Sequence, residues 1–306
     1  MSRRLMPWAI LAAALLALPL VLSSYQVSLA TQILIFGVLA MSIDILAGFA
    51  GRTPLCHGAI FGTSAYVALY WTTVLGHGVW SGLALGIVAA TILAAIFALL
   101  AIRTSGVYFL LLTLALGMIV WGVCLRWTGI TGGENGIRGA GRPGVLKDHV
   151  NFYYAVLAVV APLTFIMWRF IRSPFGLTLR GLRDSDSRMR ALGYNVPLHL
   201  FLAFTASGFF AGIAGALYAL FNDFVSPSTV QLSQSVAALL MAITGGIGTL
   251  FGSFIGAGAI IILENAVSAF TARWPMVMGL TFVLIMIFAP EGILGSLRAR
   301  SRHRMS

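Results

Sequence analysis

Apolar runs long enough to cross a bilayer recur through the chain at residues 7–22, 29–49, 55–75, 79–102, 106–127, 151–171, 198–222, 230–247, 250–270 and 274–290, parted by short polar breaks. A hydrocarbon core of about 30 Å takes roughly 20 helical residues to cross, and backbone polar groups in lipid must be satisfied within the protein. These runs are too long, and alternate too little, for barrel strands, so they predict helices. With 59% hydrophobic and only 9% charged residues, the 306-residue chain is excluded from the ordinary soluble class. The expected fold class is all-α: a polytopic transmembrane helix bundle of about ten spans, forming one transmembrane domain over residues 1–306.

A net charge of +11 would suggest a nucleic-acid partner in a soluble protein, but here the positive residues lie between apolar runs or at the chain ends. They read as a topology signal, with the lipid bilayer as partner and no nucleic acid. An even number of spans puts both termini on one side. That side holds Arg3, Arg4, Arg52, Arg103, Arg169, Arg172, Arg180, Arg183, Arg188, Arg190, Arg298, Arg300, Arg302 and Arg304, whereas the other holds only Arg126, Arg138, Arg142, Lys147 and Arg273. The positive-inside rule then places both termini in the cytoplasm. Residues 1–24 have a basic start and an apolar stretch, as a signal peptide does, but no convincing small-x-small cleavage site follows, so a retained first helix is expected. Cys56 and Cys124 stand far apart, without metal-ligand spacing, and read as small apolar packers.

No motif for nucleotide binding or hydrolysis is present: no G-x-x-x-x-G-K-[ST], no H-E-x-x-H and no G-x-S-x-G, and Lys147 is the sole lysine. No catalytic residue, cofactor or metal site is therefore expected, and the chain reads as a transport protein. Ionisable residues inside spans are costly, at about 2.5–3.5 kcal/mol each on insertion scales, and mark pathways. Asp44 and Glu264, the latter followed by Asn265, are such candidates. Asp44 can equally be an edge residue that snorkels or caps a helix. His57, in the turn Gly48 to Gly58, and Tyr66 beyond it complete the candidate path. That turn, GFAGRTPLCHG, is either a cytoplasmic turn or a broken helix at depth, and residues 230–247, opening with Gln231, Ser233, Gln234 and Ser235, either span fully, enter part-way or line a wet cavity. Gly248, Gly252 and Gly256, like Gly208 and Gly212, recur every four residues, a spacing that lets helix backbones approach. A chain of carboxylates or histidines that would signal ion coupling is absent, although an ion-coupled carrier acting alone stays an alternative.

Two loops stand out. The inner loop, 172–197, carries arginines that would cost about 15 kcal/mol as a span, so it lies in water. It predicts a short helix capped by Asp184 or Asp186, with Arg188 and Arg190 toward its C-terminal end, Ala191 within it and Gly193 closing it in a left-handed conformation. Met189 and Leu192, three apart, share a face and offer an apolar key, while Arg183, Arg188 and Arg190 orient by charge; a polybasic lipid contact is the alternative. The outer loop, 128–150, with Thr131, Gly132, Gly133, Glu134 and Asn135, is either a flexible connection or a binding loop whose glycines expose backbone N–H groups to a carboxylate.

The stretches LAGFAGRTPLCHGAIFGTSAY (Leu46 to Tyr66), RTSGVYFLLLTLALG (Arg103 to Gly117), TGGENGI (Thr131 to Ile137), SPFGLTLRGLRDSDSRMRALGYNV (Ser173 to Val196), GGIGTLFGSFIGA (Gly245 to Ala257) and APEGILG (Ala289 to Gly295) together resemble the LivM-type permease of bacterial branched-chain amino acid ABC importers. The resemblance implies a permease subunit of a bacterial inner (plasma) membrane whose inner loop docks onto an ATPase subunit. The partners it implies are a second permease, two ATP-binding subunits and a periplasmic substrate-binding protein. Asp44 stands where asparagine is usual, Pro54 and Cys56 where serine and glycine are commoner, and Met118 where a polar residue often follows; these departures bear on the solute, since related permeases carry urea or short amides.

Overall fold

The computed structural model describes residues 14–139, 141–270, 274–288 and Gly292. The termini, the start of the first apolar run, Arg273 and most of the APEGILG stretch lie outside the described residues. Among those described, five helices are long and apolar enough to cross a membrane: Ser24–Phe49, Val79–Ala101, Gly106–Arg126, His149–Ile171 and Val196–Asn222. Shorter helices cover His57–Leu69, Leu232–Gly245, Gly252–Ser268 and Trp274–Phe288. The described strands are two residues each, Ile137–Arg138 paired antiparallel with Phe224–Val225. The protein is an all-α membrane protein.

The runs at 55–75 and 230–247 begin with non-helical backbone, for reasons local to each. Gly51 takes φ +67° and Pro54 lacks an N–H, so the helix after the first long span starts only at His57. Pro227 likewise opens a single 3₁₀ turn, Pro227–Val230, before the 14-residue helix Leu232–Gly245.

Ser24–Phe49 is the central helix, mostly buried, whereas Val79–Ala101 and Gly106–Arg126 bury little more than a quarter of their most apolar windows. Their outward residues, among them Ile92, Ile96, Leu99, Leu111 and Ile119, are exposed, as a lipid-facing surface requires. Val196–Asn222 packs on both Val79–Ala101 and His57–Leu69 through small residues. A Cβ on Gly212 would lie 2.8 Å from the Ala90 methyl, and one on Gly215 would strike the Phe61 carbonyl. Leu232–Gly245 and Gly252–Ser268 pack as a tight hairpin in which Gly256 sits against the Met241 carbonyl and Gly252 against Gly245. Gly248 does not share this row as its spacing suggests. It lies in the connecting turn with φ +79°.

The breaks sort to two ends of the bundle. One end gathers residues 45–56, 102–105, 172–195 and 246–251; the other gathers 127–148 and 223–231. At this second end the helical residues 14–21 are tied down by two tyrosines. Tyr153 donates to the Leu15 carbonyl (2.9 Å) and Tyr154 to the Leu16 carbonyl (2.8 Å). Pro19, four residues after Leu15, cannot donate to that carbonyl, so the Tyr153 hydroxyl supplies the missing donor.

Candidate coupling and translocation site

The arginine-rich loop folds into two helices where one short helix is expected from the sequence. Ser173 caps Pro174–Asp184, accepting from the Gly176 N–H, and Ser185 caps Asp186–Ala191, accepting from the Arg188 N–H at 3.3 Å. The cap is thus the serine between the two aspartates, with Asp186 in the first turn, where negative charge suits the helix dipole. Gly193 takes φ +86° and closes the second helix. Met189 and Leu192 do not form a joint exposed key. Met189 is buried against Gly181, which has no side chain to exclude it, and so fastens one helix to the other, while Leu192 is two-thirds exposed. The exposed surface of the unit includes Leu177, Leu192 and Tyr194 with Asp184, Arg188, Arg190 and Ala191.

Other side chains of the unit reach back to the bundle. Arg183 donates from Nη1 to the Gly48 carbonyl at 2.6 Å, Asp186 forms an ion pair with Arg52, and the Arg180 guanidinium lies 5.3 Å from the centre of the Phe49 ring. Arg52, itself buried, also donates to the Thr104 carbonyl at 3.0 Å. The first long helix widens into a π turn, Ile45–Phe49, just where these contacts land. Asp44, at its start, is fully buried, and its two carboxylate oxygens accept from the backbone N–H groups of Gly248 (2.6 Å) and Leu250 (3.0 Å).

Beyond the π turn the chain re-enters the bundle as buried, non-helical backbone, tolerated because side chains satisfy it. Leu55 N–H donates to Thr113 Oγ1 (3.0 Å) and Gly58 N–H to Ser235 Oγ (2.8 Å). His57 is fully buried, with Nε2 2.7 Å from Ser207 Oγ, and Ser207 in turn donates to the Ser42 carbonyl. His57 Nδ1 and the Tyr66 hydroxyl are buried without a partner among the described residues. The 226–231 segment enters from the opposite end and places Val230 against Gly62. Two helices thus begin inside the bundle near each other, one at His57 and one at Leu232, with Gln231 and Ser233 exposed beside the second.

Glu264 and Asn265 lie apart from this cluster, about 18 Å along the helix from Gly252. Both are half-buried; Asn265 donates to the Ile261 carbonyl (2.8 Å) and accepts from the Tyr25 hydroxyl (3.4 Å). The structure therefore brings Asp44 to the arginine-rich unit, and His57 to Ser207 and Ser42. It brings neither pair to Glu264.

The outer loop is a folded cap. Thr131 is buried and donates to the Cys124 carbonyl (2.6 Å), and Gly132 and Gly133 take φ +73° and +56°. Arg142 donates to the carbonyls of Leu220 (3.0 Å) and Phe221 (2.7 Å) at a helix C-terminus, with its guanidinium 4.1 Å from the Phe152 ring centre. Burial lowers the Arg142 pKa from its ordinary value, and Asp223 opposes that shift. Glu134 and Asn135 are exposed, and an open groove of about 460 Å³ lies between Arg138, Gly139, Asn222, Asp223 and Phe224. Ser207 and Ser42 carry no signal in the sequence, being lone serines in apolar runs; Ser235 reads there only as part of a polar opening, and Arg142 only as a topology charge.

Residues 25–289 match the family described as "Branched-chain amino acid transport system / permease component". The chain belongs to this family. Relatives include the high-affinity branched-chain amino acid transport system permease protein LivM of Salmonella typhimurium and that of Escherichia coli, each 28% identical over 91% of this chain and 72% of their own length. LivH of Escherichia coli, a permease protein of the same named system, is 24% identical over 85% of this chain and 91% of its own. As a member of the permease family, the chain is a transport subunit and not an enzyme.

Proposed function

We propose that this chain is the membrane-embedded permease subunit of a bacterial ABC importer for branched-chain amino acids, driven by ATP hydrolysed on two separate subunits. The observation that carries the reading is the two-helix unit of residues 174–191. It leaves Leu177, Leu192, Tyr194, Arg188 and Arg190 free at one end of the bundle while its other face is fastened inward. A charged surface with an apolar centre, on a rigid base, suits docking to a soluble motor. Similarity to both LivM and LivH supports a second permease as partner, and the folded outer cap supports docking of a periplasmic binding protein there.

The arrangement we infer has about ten spans with both termini in the cytoplasm. Of the described positive residues, Arg52, Arg103, Arg169, Arg172, Arg180, Arg183, Arg188 and Arg190 belong to the end that carries the two-helix unit, and Arg126, Arg138, Arg142 and Lys147 to the other. The unit end is therefore cytoplasmic and the membrane the inner one. The solute passes beside the two helices that begin inside the bundle at His57 and Leu232, with Tyr66, Glu264 and Asn265 on the route and Asp44 fixing its inner end.

The test is uptake of L-leucine into vesicles holding the chain with the subunits that co-purify with it. Leucine uptake that needs ATP and a binding protein is the expected result. Uptake by the chain alone down an ion gradient would replace this reading with a secondary carrier, and competition by urea or acetamide in place of leucine would move the solute class.

A further inference from the structure

The turn joining Leu232–Gly245 to Gly252–Ser268 is held in an unfavourable backbone conformation. Gly246 and Gly248 have φ +112° and +79°, and Leu250, a residue with a bulky side chain, has φ +55°. A non-glycine residue in the left-handed region crowds its Cβ against the backbone and persists only where its surroundings over-determine it. Here Asp44 does so, since one carboxylate oxygen takes the Gly248 N–H and the other the Leu250 N–H. Asp44 stands at the head of the π turn, and the same short stretch, residues 44–52, carries two polar attachments of the two-helix unit: the Gly48 carbonyl bound by Arg183 and the Arg52 guanidinium bound by Asp186. The stretch also touches the strained turn directly, for a Cβ on Gly48 would lie 2.8 Å from Gly248 Cα.

We propose that residues 44–52 are a relay through which movement of the two-helix unit reaches the Gly246–Leu250 turn, with Arg183, Asp186, Arg52 and Asp44 as its positioning residues. The turn heads a hairpin whose helices touch backbone to backbone at Gly245, Gly252 and Gly256, so the hairpin moves as one body. Its first helix begins beside the break at Gly58, held by Ser235, and its second carries Glu264. Pulling the unit away loosens residues 48–52, Asp44 releases the turn, the strained residues relax, and the hairpin shifts against His57. The relay runs beside the unit's direct packing on the two long helices that flank it in sequence, where Gly176 meets the Ile171 carbonyl and Phe175 stacks on His199. Its role in transport rests on the importer reading above, whereas the mechanical link does not.

Two experiments test it. In the purified permease alone, amide exchange is followed by mass spectrometry over 244–252 and over the outer strand at 137–138. Asp186→Asn and Arg183→Gln are each expected to quicken exchange at Gly248 and Leu250 about five-fold or more, Asp186→Glu much less, with the outer strand unchanged. Unaltered exchange in the turn would overturn the relay. In the assembled transporter, Asp186→Asn is expected to lower leucine moved per ATP about tenfold while the ATPase still co-purifies, and Asp186→Glu to keep most of it. An unchanged ratio in Asp186→Asn would also overturn the relay, whereas failure of any ATPase to co-purify with the unaltered chain would sink the importer reading and leave the exchange experiment to decide the relay.

Discussion

The methyl group of Ala94 fills the space that a Cβ on Gly208 would need. Val79–Ala101 and Val196–Asn222 therefore meet with no side chain at Gly208, in a medium where packing and not hydrophobicity drives helix association. Gly208→Ala is expected to cost about 1–3 kcal/mol through overpacking. Thermal unfolding in detergent, followed by loss of the monodisperse size-exclusion peak, measures it. Ala94→Gly in the same chain should recover much of the loss, and a Gly208→Ala protein as stable as the parent would show that the two helices slide apart freely.

Tyr153→Phe removes the donor that Pro19 cannot supply to the Leu15 carbonyl. A lost hydrogen bond with a poorly hydrated acceptor costs about 1–2 kcal/mol. Tyr154→Phe, at the more exposed neighbour, should cost less. Melting curves of the two variants side by side check the order, and a larger effect at Tyr154 would contradict the assignment.

Gly193 isolates a backbone effect. A Cβ there meets nothing within 4 Å, so a substitution acts only through φ +86°. Gly193→Val should loosen the end of Asp186–Ala191 at a cost of about 1–3 kcal/mol, and Gly193→Asn, which tolerates the left-handed region, should cost less. With Arg190→Glu as the surface counterpart, both Gly193→Val and Arg190→Glu are expected to insert normally yet lose solute-stimulated ATP hydrolysis in reconstituted vesicles. Wild-type co-purification and hydrolysis in both would turn the unit into a lipid-contact patch.

Sidedness follows from the two ends of the bundle. A cysteine at Ser185 should label with an impermeant maleimide only from the cytoplasm, and one at Asn135, which is exposed on the outer cap, only from the periplasm. Labelling of both from the same side would break the ten-span arrangement.

Glu264 is half-buried and forms no described hydrogen bond or ion pair, so its carboxylate contributes little to holding the helix. Glu264→Ala is expected to reduce leucine uptake by about tenfold with expression and subunit assembly intact. Uptake at the parental level would remove it from the route.

The sequence alone determined the all-helical membrane class, because apolar run length and backbone satisfaction in lipid leave few other solutions. It also set the arginine-rich loop between long helices and not within one, since arginines so dense cannot sit in hydrocarbon, and it marked the left-handed close at Gly193. Close packing at Gly208 and Gly212 was legible for the same kind of reason: a four-residue spacing of glycines has few uses inside a helix. What the tertiary structure decided is which partner each polar group took. Asp44 is read from the sequence as a path or edge residue, and only the fold brings the Gly248 and Leu250 N–H groups, two hundred residues on, to its two oxygens. Met189 and Leu192 share a helical face by spacing, yet Gly181 on a neighbouring helix draws one inward and leaves the other out. The break before His57 was ambiguous for the same reason. Glycine and proline announce that a helix stops, but whether the freed backbone lies in water or at depth depends on Thr113 and Ser235, which arrive from elsewhere in the chain. Local sequence sets what each segment can do alone; hydrogen bonds and steric fits between distant segments are set only once the chain has packed.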